Sequence, residues 1–308
     1  MPPRSLDSIA VVGAGNAGHA MAADLAFKGF SVRLYELPRF AEFIRPSQER
    51  GGIELTGVVG EGFAEPELIT TDIAQAIKGA SHIFVVTQAL AHEEVAELCA
   101  PYVEESQTIV LFPGSGGALQ VAKTFEDNGV TKKVFFAETV TLPYACRMQG
   151  AAWINVHSGP AAREIIAALP GKDTGAVIEA TKSAYPMLSP AKHVLEIALY
   201  NPNILLHPIG VIFNLGRIEY SKGEFWMYKE AFTPSVMKLL KALEKERVAM
   251  LRVLNVEPME FEAYYEYRYQ KPWSDFAAVA SKGPASANTR YISEDIPIGM
   301  VLWASLGD

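Results

Sequence analysis

Within the segment NPNILLHPIGVIFNLGR, residues 201–217, an imidazole stands in an otherwise apolar run and a proline follows it directly. Histidine changes charge near neutral pH, so His207 can give and take protons where few other side chains can. Asn203, His207, Gly210, Asn214 and Arg217 are spaced four, three, four and three apart, which on a helix makes one stripe. A polar stripe on a helix that is apolar elsewhere should face a wet cleft or a satisfied internal network. Pro208 cannot donate to the carbonyl of Ile204 and crowds that turn, so the helix is expected to start or kink near His207. Spacing alone leaves a second reading open, a core histidine bonded to a backbone carbonyl. Near the end of the chain, Arg290 and Asp295 flank a loop in NTRYISEDIP. Spacing gives them no tie to His207, and alone they read as a surface charge pair.

A different chemistry is written at the other end of the chain. In IAVVGAGNAGHAMAADLAFKGFSVRLYE, the strand Ile9–Val12 runs into Gly13, Gly15 and Gly18, the pattern G-x-G-x-x-G. Gly13 makes a tight turn, Gly15 lets the backbone approach a pyrophosphate, and Gly18 lets helix and strand pack closely. Asn16 and Ala17 then open a helix whose free N–H groups and positive dipole end suit phosphates. The helix stops near Gly29, a second strand spans Ser31–Tyr35, and Glu36 follows, where a carboxylate can hold the ribose hydroxyls. Glu36 would repel a 2′-phosphate and so favours NAD over NADP, although Arg33 and Arg39 stand close by; a merely solvated strand end is the plain alternative.

These residues need elements to position them. Helical patterns cover Thr71–Lys78 and Ala91–Ala100, and buried-strand patterns cover Ser81–Thr87, Thr108–Phe112, Val134–Glu138 and Trp153–His157. Such alternation predicts an α/β, doubly wound, open parallel sheet with right-handed crossovers, its ligands beyond the carboxyl ends of the strands. Thr87, Gln88, Ala89, Pro113 and Gly114 are placed there beside the cofactor, with Glu138 and Thr139 close by and Thr139 on the substrate side; each is otherwise an ordinary loop residue. After about Pro186 the strand signals fade. Thr233-Pro234 reads as an N-cap and first helical position, followed by Val236, Leu239, Leu240, Leu243, Val248, Leu251 and Leu254 at helical spacing. Two domains are expected, a dinucleotide-binding domain over 1–187 and a helical substrate domain over 188–308.

Composition narrows the rest. The chain has 308 residues, 49% hydrophobic and 20% charged, enough for two globular cores. A formal net charge of −8 without any Lys/Arg-rich run argues against an electrostatic grip on nucleic acid. No apolar run has membrane-spanning length, and MPPRSLDS is no signal-peptide start. Cys99 and Cys146 have no metal-ligand spacing and read as reduced thiols, so a cytoplasmic protein without membrane, metal or nucleic-acid partners is expected.

Taken together, VVGAGNAGHA, NPNILLHPIG, EAFTPSV and NTRYISED resemble the octopine/opine dehydrogenase family, in particular its N-(1-D-carboxyethyl)-L-norvaline dehydrogenase branch, over nearly the whole chain. The resemblance implies a Rossmann-type domain followed by an all-α substrate domain of the 6-phosphogluconate-dehydrogenase-like type. It implies an NAD(P)-dependent oxidoreductase that joins an α-keto acid such as pyruvate to the amino group of an L-amino acid and reduces the imine. By motif position it makes His207 the acid/base group, Asp295 its partner and Arg290 the clamp on a substrate carboxylate, with Asn203 beside them in a cleft between the domains. Relatives of this kind continue for several more helices beyond the position of Gly299. Where this chain stops, a wall of the substrate domain is expected from further chain or from a second subunit in a homodimer. Two other readings use the same residues: a reductase of 2-keto or 2-hydroxy acids on this scaffold, and a non-catalytic NAD(P)-binding protein.

Overall fold

The computed structural model describes residues 1–279 and 281–308. Two compact units divide the chain, Met1–Ile197 and Ala198–Asp308. Among the described residues no helix is long and apolar enough to cross a membrane.

The first unit is built on β1 (Ser8–Val12), α1 (Asn16–Phe27) and β2 (Ser31–Tyr35), as the glycine pattern requires. There follow α2 (Arg45–Arg50), β3 (Ile53–Gly57), β4 (Gly62–Ala64), β5 (Leu68–Thr70), α3 (Ile73–Ile77) and β6 (His82–Val85). Then come α4 (His92–Cys99), β7 (Thr108–Leu111), α5 (Gly117–Asp127) and β8 (Phe135–Thr139). The unit closes with β9 (Ala145–Gly150), β10 (Trp153–Ser158), β11 (Glu164–Leu169), α6 (Thr174–Thr181) and β12 (Leu188–Pro190).

The main sheet has eight strands in the order β12-β11-β8-β7-β6-β1-β2-β5. β1 lies parallel between β2 and β6, with Val12 beside Tyr35 on one side and Val85 on the other. Strand order reverses there, and the carboxyl ends of β1 and β6 share the crevice in which such sheets bind ligands. The sheet departs from the expected parallel form at one edge, where β11 runs antiparallel to β8 and carries β12 with it. The strand at 153–158 also differs from expectation. It does not join the main sheet but lies parallel to β3 and antiparallel to β9 in a second sheet, β4-β3-β10-β9. Its isoleucine and valine bury one face as a main-sheet strand would, so period and composition could not tell the two apart.

The two sheets explain the composition of α1. Ala20, Met21, Ala23 and Leu25 share one core with Val11 and Val32 of the main sheet and with Leu55, Ile154 and Val156 of the small one. A helix covered on opposite sides needs small apolar residues all round, and AGHAMAADLA supplies them.

The second unit begins in α7 (Val194–Tyr200) and continues through α8 (Pro202–Ile212), α9 (Leu215–Ser221), α10 (Met227–Glu230), α11 (Pro234–Val253), α12 (Phe261–Tyr269), α13 (Arg290–Ser293) and α14 (Val301–Gly307). α11 has Thr233 as N-cap and Pro234 at its first position, and buries Val236, Leu240, Val248 and Leu251 on one face. Between α13 and α14 the chain makes a π-helical turn, Asp295–Met300. The segment read as a loop around Arg290 and Asp295 is therefore helical. A second core gathers Val211, Ile218, Phe225, Met227 and Ala231, with Tyr228, Phe232, Tyr291 and Ile292 packed against it.

Candidate active site

In the first unit Gly13 and Gly18 sit as a tight turn and a close helix–strand approach require. Gly13 has φ +103°, and a β-carbon on it would lie 2.8 Å from Thr87 Cγ2. A β-carbon on Gly18 would come 1.7 Å from the Gly13 carbonyl oxygen, so α1 can follow β1 this closely only without one. Gly15 has open space around its missing β-carbon. That space lies at the N-terminus of α1, where the first N–H groups have no partner inside the helix and Asn16 and Ala17 begin it. The Asn16 side chain accepts the Met148 N–H at 2.8 Å, which ties this helix end to β9.

Glu36 is not a solvated strand end. Its carboxylate is buried; Oε2 accepts the Ala14 N–H at 2.7 Å and Oε1 the Leu37 N–H at 2.8 Å. Burial raises its pKa and these two bonds lower it, burial being the larger effect. Each oxygen keeps a second lone pair for a hydroxyl donor. Across the crevice, Thr87 Oγ1 is buried with no hydrogen-bond partner among the described residues. An orphaned hydroxyl at the end of β6, against Gly13, together with the open Gly15 and the free end of α1, suits a dinucleotide. Gln88 is exposed and Ala89 buried at the same strand end.

Beyond β7, the loop carrying Pro113 and Gly114 is fastened from below by Glu138. That carboxylate is fully buried and accepts N–H bonds from Gly116 at 3.0 Å and Ala118 at 2.8 Å. Burial nevertheless pushes it up to about 7. A β-carbon on Gly114 would lie 2.2 Å from that of Glu138. Thr139 differs from expectation: it has no exposed surface and its hydroxyl donates to the Thr141 carbonyl at 2.8 Å. The side chain is spent on the turn after β8 and is not presented to a substrate.

In the second unit α8 starts at Pro202, with Asn201 as N-cap accepting the Asn203 N–H at 3.0 Å. It runs on through Pro208, so it neither starts at His207 nor stops there. The five-residue stripe is not one surface. Gly210 meets Met227, and Asn214 caps α9 and donates to the carbonyls of Gly210 and Ala231. Arg217 pairs with Glu230 at 2.8 Å. These three belong to an internal network and the surface, which leaves half-buried Asn203 and buried His207 on successive turns of α8.

His207 is not bonded to a backbone carbonyl. Its Nδ1 lies 2.8 Å from Asp295 Oδ2, across 88 residues of sequence. A carboxylate accepts only from Nδ1–H, which leaves Nε2 as the nitrogen that can exchange a proton. Among the described residues Nε2 has no hydrogen-bond partner. The Tyr291 ring stacks on the imidazole, centroids 3.8 Å apart and planes 22° apart. The exposed Arg290 guanidinium lies 6.0 Å from the Tyr291 ring centre and forms no ion pair among the described residues. Burial raises the pKa of the Tyr228 phenol, as do Tyr291, Tyr269 and Asp295, while Arg290 lowers it. Tyr228 therefore belongs to the same neighbourhood, and with Phe232, Phe276 and Trp273 it forms a run of ring contacts. Trp226 stands apart beneath Lys229 and Lys282. Sequence reasoning missed Tyr291; its place between Arg290 and Asp295 was the available signal.

Comparison with known proteins joins the two units. The family described as NAD/NADP octopine/nopaline dehydrogenase, alpha-helical domain, matches residues 190–308, and the family described as ketopantoate reductase PanE/ApbA matches residues 9–159. An opine dehydrogenase of Arthrobacter sp. (strain 1C) is 36% identical over 97% of this chain and 84% of its own length. The chain belongs to the opine dehydrogenase family. Among solved structures, this chain shares its fold with octopine dehydrogenase in complex with NADH and agmatine. That likeness has TM-score 0.76 and 21% identity, covering 97% of this chain and 84% of that one. An octopine dehydrogenase structure with NADH and pyruvate gives TM-score 0.74 at 20% identity, over 97% and 83% of the two chains. The opine dehydrogenase family assignment makes the protein an NAD(P)-dependent oxidoreductase.

Proposed function

We propose that this protein is an NAD-dependent opine dehydrogenase acting on a CH–NH bond. It condenses the amino group of an L-amino acid with an α-keto acid and reduces the resulting imine to a secondary amine, reversibly. The observation that carries the reading is the His207–Asp295 pair, capped by Tyr291, with Arg290 beside Tyr291 on α13 and its cation unpaired among the described residues. Pyruvate and amino acid or amine ligands, named with NADH in the octopine dehydrogenase structures, fit this chemistry.

Each group has a task that its chemistry suits. Arg290 offers a planar fork to a substrate carboxylate and so fixes the neighbouring carbonyl carbon. Asn203, one turn before His207, adds a neutral donor and acceptor for the same substrate. As the amine adds to that carbon, His207 Nε2 moves the protons: two pass in turn from the nitrogen to the oxygen, the first giving the carbinolamine and the second letting the oxygen leave as water. Asp295 keeps the proton on Nδ1 and stabilises the imidazolium formed in between. Tyr291 holds the ring plane, and its π face favours the cationic form. The nicotinamide cofactor supplies the hydride that reduces the imine carbon. Gly13, Gly15, Asn16, Ala17, Gly18 and Glu36 would hold its adenosine and pyrophosphate, and Thr87, Gln88, Ala89, Pro113 and Gly114 its other half.

NADH oxidation with pyruvate, with and without a mixture of L-amino acids, tests this in wild type and His207→Ala. Oxidation that needs the amine and is lost in the variant is the expected result. Oxidation by pyruvate alone would favour a 2-keto acid reductase, which the match of the first unit to ketopantoate reductase makes the second reading. NADH binding without turnover would leave a non-catalytic binding protein.

A further inference from the structure

Two arginines near the end of β2 could serve a 2′-phosphate, and the structure commits both elsewhere. Arg33 donates to the Lys78 carbonyl and meets Glu67 at 3.4 Å. Arg39 stands three residues after Glu36, close enough for its charge to act on that carboxyl. Its guanidinium is held by both oxygens of Glu94, on α4; Nη2 lies 2.6 Å from Oε2, and Nη1 meets Oε1. It also lies 5.0 Å from the centre of the Phe40 ring. The two side chains are 53% and 38% exposed. Such a pair adds little to stability, so holding the fold together does not account for it.

The geometry does account for something else. A guanidinium fork fits a phosphate as well as it fits a carboxylate. Where an acidic residue after β2 meets the adenine ribose, an arginine nearby is what accommodates a 2′-phosphate. We infer that Glu94 is a cofactor-specificity residue: by occupying the fork of Arg39 it withholds the cation a 2′-phosphate would need, and so works with Glu36 in selecting NAD(H) over NADP(H). A 2′-phosphate must displace Glu94 before it gains Arg39, and it meets Glu36 and the nearby Glu42 as well. NADH places neutral hydroxyls there and makes no demand on Arg39. This inference rests on the dinucleotide site proposed above.

The test is direct binding to the full chain by titration calorimetry, with NADH, NADPH, 5′-AMP and 2′,5′-ADP as ligands. Glu94→Gln keeps the shape of the side chain and removes its charge. It should tighten NADPH and 2′,5′-ADP by about tenfold, the scale of one charge-assisted contact regained, while NADH and 5′-AMP stay within about twofold. Arg39→Ala combined with Glu94→Gln should erase the gain. Unchanged NADPH affinity in Glu94→Gln, with NADH still bound, would overturn the inference and leave the dinucleotide site standing. A gain that survives loss of Arg39 would overturn it too, by showing plain relief of repulsion. Failure of the wild type to bind NADH would remove the dinucleotide reading and this inference together.

Discussion

The two candidate sites, one in each unit, handle buried charge in opposite ways. In the first, the ionisable groups near the crevice are spent on the protein's own backbone or left alone. Glu36 and Glu138 accept main-chain N–H groups, and both ring nitrogens of His92 are buried with no partner among the described residues. In the second, His207 and Asp295 are spent on each other, with one imidazole nitrogen left over. The first arrangement fixes main-chain shape, which suits a cofactor whose position must not vary. The second keeps a proton available, which suits chemistry. Four experiments can break or sharpen this contrast.

The largest effect is expected at the left-over nitrogen. His207→Asn should lower kcat about 10²–10⁴-fold, the usual worth of a positioned acid/base, and leave the NADH dissociation constant unchanged. Steady-state kinetics beside cofactor titration would separate the two. A fall in NADH affinity of the same size would mean that the units do not divide the labour as described.

Acid stability comes next. Burial pushes His82 and His92 down to about 4, from an ordinary 6.5. A base depressed in the folded state adds stability that is full above pH 6.5 and is lost as pH falls from there through 4. Each shift is worth about 3 kcal/mol at full expression. Urea midpoints should therefore drop steeply between pH 6.5 and 4, and His92→Leu should make that decline shallower. An unchanged slope in His92→Leu would mean that the ring finds a partner when it is charged.

A pair of glycine substitutions probes main-chain holding itself. Gly18→Ala puts a β-carbon against the Gly13 carbonyl and should cost roughly 1–3 kcal/mol of stability together with NADH binding. Gly15→Ala meets no protein atom within 4 Å. It should leave Tm unchanged and weaken only NADH binding, by about tenfold, if the backbone approaches the pyrophosphate there. Equal losses of Tm would show that Gly15 serves the fold instead.

The smallest effect is reserved for the ring over the imidazole. Tyr291→Leu should lower kcat by about threefold to tenfold, since a stacked ring contact is worth about 0.5–1.5 kcal/mol, and Tyr291→Phe should retain nearly all activity. A large loss in Tyr291→Phe would mean that the hydroxyl takes part.

Much of the first unit was legible because its devices are local. A strand, three glycines, a helix and an acid fall within residues 9–36, and each leaves its mark on spacing or residue type. What was not legible there concerns partners. The 153–158 strand has the pattern of a main-sheet strand, and its pairing with β3 is settled across about a hundred residues. Nothing in the letter at 139 says that the threonine hydroxyl will turn inward to Thr141. In the second unit, spacing put five residues on one helix face, but α8 ends at Ile212, and Asn214 and Arg217 beyond it meet Ala231 and Glu230. Family resemblance alone brings His207 and Asp295 together in the sequence; no periodicity spans 88 residues.

The turn that carries Asp295 has a consequence for how this segment can change. Its i to i+5 pattern holds one more residue than an α-helical turn. The chain on either side is docked twice on the same unit. Asp295 meets His207, and then Gly299 lies against Ile204 while the Trp303 indole donates to the Ala198 carbonyl at 3.0 Å. Deleting a single residue between those docks would restore α spacing and rotate one of them off its partner. Replacing the exposed Pro297 would disturb neither. Apart from Gly299, where a β-carbon would lie 2.3 Å from Ile204 Cγ1, the stretch from Ile296 to Met300 can thus vary in its letters more freely than in their number, so gaps there should mark lineages that have given up the chemistry.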